Sequence, residues 1–192
     1  HALLPTPVIE IDPADEICET NESNNVYHLQ MTFNPVPDLQ VKIIPVEYTH
    51  ADGVVYPAPT SEPLSDWIMR TYPVSKIDLS WHATYPFTGD LTTTSSWYAL
   101  LDQISALKSA EGAPSAQVYY ALVPISNGSS TWFRGSIAGI GWIGSRVSVG
   151  LNTSTAPLIA AHEIGHNLGM WHAPCGGATF VDPDFPYPDG SI

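Results

Sequence analysis

His162-Glu163-Ile164-Gly165-His166-Asn167-Leu168-Gly169-Met170-Trp171-His172 is the stretch that decides how this chain folds and what chemistry it can carry. On an α-helix, His162 and His166 project from one face, one turn apart, so two imidazole nitrogens can reach one metal ion. Glu163 follows the first of them and leans to one side, where its carboxylate can take a proton from metal-bound water instead of ligating the metal. His172 is out of phase with the helix and can join only if the helix ends first. Gly169 lets it end, because a residue without a Cβ can adopt the left-handed conformation that closes a helix and turns the chain back. Three neutral imidazoles leave a zinc ion its 2+ charge and a fourth, open position, which lowers the pKa of bound water to about 7. Surface histidines on an amphipathic helix, or a structural zinc site, are the plain alternatives. Structural sites prefer cysteine and four protein ligands, and only three are supplied here. The expectation is a catalytic zinc site, with His162, His166 and His172 as ligands and Glu163 as general base.

The segment resembles the zinc-binding signature of the metzincin clan of metallopeptidases, matching it at His162, Glu163, His166, Gly169 and His172. That resemblance implies the same ligands and the same base. More loosely, the chain from about Leu39 onward is similar to the catalytic domain of secreted bacterial metzincins, including mucin-cleaving enterobacterial proteases. Leu39-Gln40-Val41-Lys42-Ile43-Ile44-Pro45-Val46 and His172-Ala173-Pro174-Cys175-Gly176 carry this second likeness. Metzincins also place a methionine-containing turn downstream of the third histidine, whereas the methionines here are Met31, Met69 and Met170. Either the natural chain continues beyond Ile192, or the floor of the site is built differently. Truncation is the expectation, since a zinc site without packed support would be poorly oriented.

Outward from the motif, Thr155-Ala156-Pro157 opens the helix, with Ser154 or Thr155 as cap and proline in the first turn. The spacing of apolar residues predicts strands over Leu39 to Tyr48, Lys76 to His82 and Gln117 to Val123, and helices over Pro63 to Thr71 and Ser95 to Ala110. This alternation implies right-handed crossovers in an α/β (α+β) fold: a metzincin-like, twisted, mostly parallel sheet with two covering helices and the zinc-binding helix. Ile137 to Gly150, rich in glycine and β-branched residues, reads as an antiparallel edge strand or hairpin beside the cleft. Within it, Gly139-Ile140-Gly141-Trp142-Ile143 is either a strand that pairs with extended substrate or an ordinary glycine-rich hairpin. The chain divides near Asn34-Pro35-Val36-Pro37. Residues 1–36, with a strand over Val26 to Phe33, form an N-terminal arm: a pro-segment remnant or the end of a preceding β-domain. Residues 37–192 form the metzincin-like catalytic domain.

Composition points outside the cell. Only 13% of the residues are charged, and Ser, Thr, Asn and Pro supply the remaining polarity. A net charge of −13, from 19 acidic and 6 basic residues, offers no positive footprint for nucleic acid or anionic membrane. No apolar run approaches a membrane span. Cys18 and Cys175 could form one disulfide. Alternatively, Cys175 pairs with a cysteine further along the chain, or Cys18 serves as a latency switch on the open zinc position, which neighbouring Glu16 and Glu19 oppose. His28, His50 and His82 lack metal-ligand spacing and read as surface or hydrogen-bonded residues. Trp81, Trp97, Trp132, Trp142 and Trp171 read as packing residues, with Trp132 and Trp142 also able to line a subsite for an aromatic group or a sugar. Asp182, Asp184 and Asp189 read as a solvated turn in preference to a calcium loop. Asn21, Asn127 and Asn152 begin N-x-Ser/Thr sequons.

Together these features imply a secreted zinc endopeptidase acting on proteins or glycoproteins, with its oligomeric state unspecified. Two other classes stay open: a non-catalytic glycoprotein- or cell-wall-binding module on a metzincin scaffold, and a zinc hydrolase of a non-peptide bond. The first has no use for Glu163.

Overall fold

Two short strands, β1 (Val8–Glu10) and β2 (Val26–His28), form an antiparallel ladder in the first of two units, His1–Val36 and Pro37–Ile192. The computed structural model describes residues 7–14, 16–29, 36–60, 63–135 and 137–185. The strand expected from Val26 to Phe33 therefore ends at His28, and its stretch from Gln30 lies outside the described residues.

The second unit is organised around one long strand. β3 (Leu39–His50) is followed by β4 (Val55–Tyr56), α1 (Ser65–Thr71), β5 (Ile77–Trp81), β6 (Tyr85–Gly89), α2 (Thr94–Ala110), β7 (Val118–Pro124), β8 (Gly139–Gly141), β9 (Val147–Asn152) and α3 (Ala156–Asn167). The sheet runs β4-β3-β7-β9-β8, and β5 and β6 pair with successive halves of β3. Pairings of β3 with β5, β6 and β7, and of β7 with β9, are parallel; β4 and β8 are antiparallel. The mostly parallel sheet with an antiparallel edge is the architecture that the alternating pattern implied. β4 and β6 were not anticipated. Pro86, the second residue of β6, argues against a strand on sequence grounds, and it is accommodated because β6 pairs along β3 alone.

Every residue of β7 is buried, as expected of a strand covered on both faces. Tyr119, Ala121 and Val123 point to one side, where they meet Trp97, Leu100, Leu101 and Ile104 of α2. Val118, Tyr120 and Leu122 point to the other, meeting Leu64 and Ile68 at α1 and Ala156, Ala160 and Ile164 of α3. The sheet is thus a middle layer between α2 and the pair α1 and α3. β9 divides in the same way. Val147, Val149 and Leu151 join the α2 side, which leaves Ser148 and Gly150 toward α3. A Cβ on Gly150 would collide with the Tyr120 hydroxyl and come 2.9 Å from Ile159 Cγ2, so glycine here is what lets α3 lie close to the sheet.

Glu111, at the end of α2, ties that helix to the sheet. It accepts from the Tyr119 hydroxyl, from Lys42 Nζ at 3.0 Å, and pairs with His82 Nε2 at 2.7 Å. The Tyr119 hydrogen bond first, then Lys42 and His82, hold its carboxyl down at about 2. A folded-state value below the ordinary 4.5 contributes stability that is present above the ordinary value and lost as pH falls toward 2. Thermal unfolding across that acid window should show a shallower loss of Tm for Glu111→Gln than for the wild type. Parallel slopes for the two proteins would contradict this role.

Candidate metal centre

α3 begins as its sequence suggests, with Thr155 at the N-cap and Pro157 in the first turn. The cap works differently from the expectation, however. No Thr155 side-chain bond reaches the helix; its Oγ1 lies 2.9 Å from Thr153 Oγ1, and Leu158 and Ile159 donate to the Thr155 carbonyl instead. At the other end Leu168 is the C-cap and Gly169 has φ +100°, the left-handed conformation the motif called for. Gly169 N–H donates to the His166 carbonyl at 3.0 Å and Met170 N–H to the Gly165 carbonyl at 2.9 Å. This pair of bonds is the Schellman closure, and it reverses the chain so that His172 returns to the helix.

The structure brings His162, His166 and His172 together, with one ring nitrogen of each within 4.8 Å of the others. Nε2 of His162 lies 3.1 Å from Nε2 of His166 and 3.2 Å from Nε2 of His172. The opposite nitrogens are anchored: His166 Nδ1 donates to the Met170 carbonyl at 2.8 Å and His172 Nδ1 to the Thr179 carbonyl at 2.5 Å. A carbonyl only accepts, so in a neutral ring the proton sits on Nδ1 and the Nε2 lone pair faces inward. Both of these lone pairs meet His162 Nε2, which can offer a proton to one of them at most. The cluster is therefore short of positive charge, the condition a cation relieves. An ion about 2.0–2.1 Å from each nitrogen at roughly tetrahedral angles would hold them about 3.3–3.4 Å apart, close to the spacing found. Burial first, then neighbouring His166 and His172, push His162 below its usual pKa and favour its neutral, ligating form.

His172 also has a support that sequence reasoning missed. Its N–H donates to the Phe180 carbonyl, and its own carbonyl accepts from Asp182 N–H at 2.8 Å. The loop after the third histidine thus folds back to hold that histidine, through backbone groups whose partners no residue pattern announces. Asp184 N–H bonds to Asp182 Oδ1 at 3.0 Å, a local turn, and among the described residues neither aspartate joins a metal-binding group. Asp189 lies outside the described residues.

Glu163 is 5% exposed, and burial pushes its carboxyl up to about 8. A carboxylate in that condition is more basic than one in water, and a neighbouring cation would draw it back toward the ionised form. The side chain is seated against β8, where a Cβ on Gly139 would fall 2.6 Å from Glu163 Oε1.

The β8–β9 hairpin is fastened to the end of α3. Asn167 is fully buried: its Nδ2 donates to the Val147 carbonyl at 2.8 Å and the Trp142 carbonyl at 3.3 Å, and its Oδ1 accepts from Ser148 Oγ at 2.8 Å. Gly144 N–H adds a bond to the His166 carbonyl at 2.8 Å. Asn167→Ala would strand buried partners and should cost about 2 kcal/mol in urea unfolding at fixed metal concentration. A change below about 0.5 kcal/mol, typical of an indifferent surface position, would contradict this fastening. On the far side of α3, the phenol of Tyr72, pushed up to about 12 by burial and by Glu163, donates to the Ala161 carbonyl. It also explains Gly165 in the motif, where a Cβ would lie 2.8 Å from that hydroxyl.

A cavity of about 460 Å³ opens beside the histidines, walled by Trp67 and Tyr72 from the α1 side, by Leu158, and by Met170 and Trp171. Trp171, expected to pack, is 46% exposed on this wall. Trp132, expected to pack or to line a subsite, is core: it stacks edge-on to Tyr48 and its Nε1 donates to the Pro124 carbonyl at 2.8 Å. Trp97 is buried likewise, while Trp81 and Trp142 are part exposed. His50 bonds to the Tyr48 hydroxyl and His82 to Glu111, so both have the structural roles expected of them; His28 lies on β2. Cys175 lines the cavity as an exposed free thiol, and Cys18 is also free and exposed.

Comparison with known families matches the family model described as Peptidase M66 to residues 60–192, a span that contains α1, the hairpin and all of α3. A search of curated proteins returns no match.

Proposed function

The chain belongs to the peptidase M66 family, a metallopeptidase family, and from that premise we propose that it is a secreted, zinc-dependent endopeptidase acting on proteins or glycoproteins. In this reading His162, His166 and His172 hold the zinc and Glu163 is the general base. The observation that carries it is the convergence of three Nε2 atoms, two of them oriented by backbone carbonyls, into a group short of protons. Zinc suits a donor set of three imidazoles, and when bound it supplies Lewis-acid polarisation of the scissile carbonyl and acidifies water to a pKa of about 7.

Each remaining part has a role in the hydrolysis. The Glu163 carboxylate takes the proton of the attacking water and returns it to the leaving amine. Its burial against β8 limits where it can swing. β8 stands at the end of the sheet, and an extended peptide laid along it would gain backbone hydrogen bonds that do not depend on sequence. The net charge of −13 supports protein or glycoprotein partners over nucleic acid or an anionic membrane. Among the described residues no helix is long and apolar enough to cross a membrane.

Peptides blocked at both termini test the endopeptidase assignment. The zinc-loaded protein should cut them internally, as mass spectrometry of the products would show. Release of single residues from unblocked peptides, with blocked ones left intact, would contradict it.

A further inference from the structure

Side chains along β8 alternate between the two faces of the sheet. Ile140 packs into the cluster on the α2 side, which turns positions 139 and 141 toward α3. A Cβ on Gly139 would lie 2.6 Å from Glu163 Oε1, 2.8 Å from Cγ and 2.9 Å from Cδ, so its three nearest neighbours are all one side chain. A Cβ on Gly141 would lie 3.1 Å from the Glu163 carbonyl oxygen, 3.2 Å from Ser148 Cβ and 3.3 Å from Glu163 Oε2. Each carboxylate oxygen therefore has its own glycine.

Conformation does not demand these glycines. Neither has a positive φ, in contrast to Gly144 in the hairpin turn, which has φ +76° and nothing near its missing Cβ. Neither position needs glycine for its φ; at 139 what forbids a side chain is the carboxylate, and at 141 the Glu163 carbonyl, Ser148 and the carboxylate together crowd one.

We propose that Gly139 and Gly141 are positioning residues for Glu163: the bare strand is a seat, one glycine under each oxygen, that fixes where the carboxylate stands relative to the histidines. This rests on the reading of Glu163 as the base. A glutamate has three side-chain torsions, and without a wall its carboxylate would sample several positions. The wall moves with the helix, because Asn167 and the Gly144-to-His166 bond fasten the hairpin to the end of α3. Displacing a reacting group by about 1 Å is enough to lower a rate about a hundredfold.

The test is a cycle of four proteins: wild type, Gly139→Ala, Glu163→Ala and the double variant, with Gly141→Ala as a milder companion. Zinc affinity by chelator competition should stay within about threefold throughout, because none of the three histidines is among the nearest neighbours of a Cβ at 139 or 141. Gly139→Ala should lower kcat about a hundredfold with KM little changed, and Gly141→Ala should lower it less, as its contacts are looser. It should also lower Tm in the wild-type background but not in the Glu163→Ala background, where the colliding side chain is gone. Equal Tm losses in both backgrounds would overturn the proposal, as would an unchanged kcat for Gly139→Ala. The Tm cycle needs no turnover, so it still decides the contact if the wild type proves inactive and the peptidase reading fails. Should Gly139→Ala not fold alone, recovery of folding in the double variant supports the seat, and failure of both variants overturns it.

Discussion

Glu163→Ala is expected to keep its metal and to lower kcat about a thousandfold. A positioned general acid or base contributes roughly a hundredfold to ten-thousandfold, and Glu163 is asked to act twice, on the water and on the leaving amine. Its environment serves this. The carboxylate stands one residue after His162, is buried, and is pressed against the glycine face of β8. Removal deletes no ligand, so the His162, His166 and His172 cluster should stay intact and bind one zinc with unchanged stoichiometry. KM should move little, because the proton transfers asked of Glu163 belong to the transition state and not to the bound ground state. Steady-state cleavage of a fluorogenic peptide, paired with metal analysis of the same sample, checks both halves. Cleavage at more than a tenth of the wild-type rate by the zinc-loaded variant would remove Glu163 from the mechanism.

His166→Ala is expected to abolish cleavage and to uncouple stability from the metal. Of the three histidines it is the most deeply placed, 9% exposed, and its ring is fixed through Nδ1 by the Met170 carbonyl at the helix closure. Losing even an orienting partner of a ligand costs about 10- to 100-fold in affinity, and losing the ligand itself should cost more. A metal that binds only the folded chain stabilises it by about 4 kcal/mol when present at a thousand times its Kd. Chelation should therefore lower the Tm of the wild type by several degrees and leave His166→Ala unmoved. Zinc added back should restore both Tm and activity to the wild type alone. A variant whose Tm still responded to chelator and zinc as the wild type does would place the metal elsewhere.

Much of this arrangement was legible in the sequence because it is local. The four-residue interval of His162 and His166, the glycine that ends the helix, and the proline that begins it all act within a turn or two of themselves. The alternation of strands and helices was legible for the same reason. What was not legible depends on neighbours distant in the chain. β6 carries a proline at its second position and is a strand because β3 lies beside it. Trp132 sits in a loop of the sequence but in the core of the structure, where Tyr48, Trp97 and Phe133 surround it. Asn167 looks like one more polar residue at a helix end until the hairpin carbonyls it satisfies are placed. Gly139 and Gly141 read as part of either a substrate-pairing strand or a glycine-rich hairpin, and nothing in the sequence ties them to Glu163 until it is seated on them. The support of His172 by Thr179, Phe180 and Asp182 runs almost wholly through the main chain, to which composition is blind.

X-ray absorption spectroscopy of the zinc-titrated protein is the most direct test of the metal centre. The account predicts one zinc per chain with three imidazole nitrogens and one oxygen in its coordination shell, all at about 2.0–2.1 Å. Loss of the zinc signal from His166→Ala should accompany it. A shell containing sulfur, which would bring in Cys175, or fewer than three imidazoles, or no stoichiometric uptake at all, would contradict it.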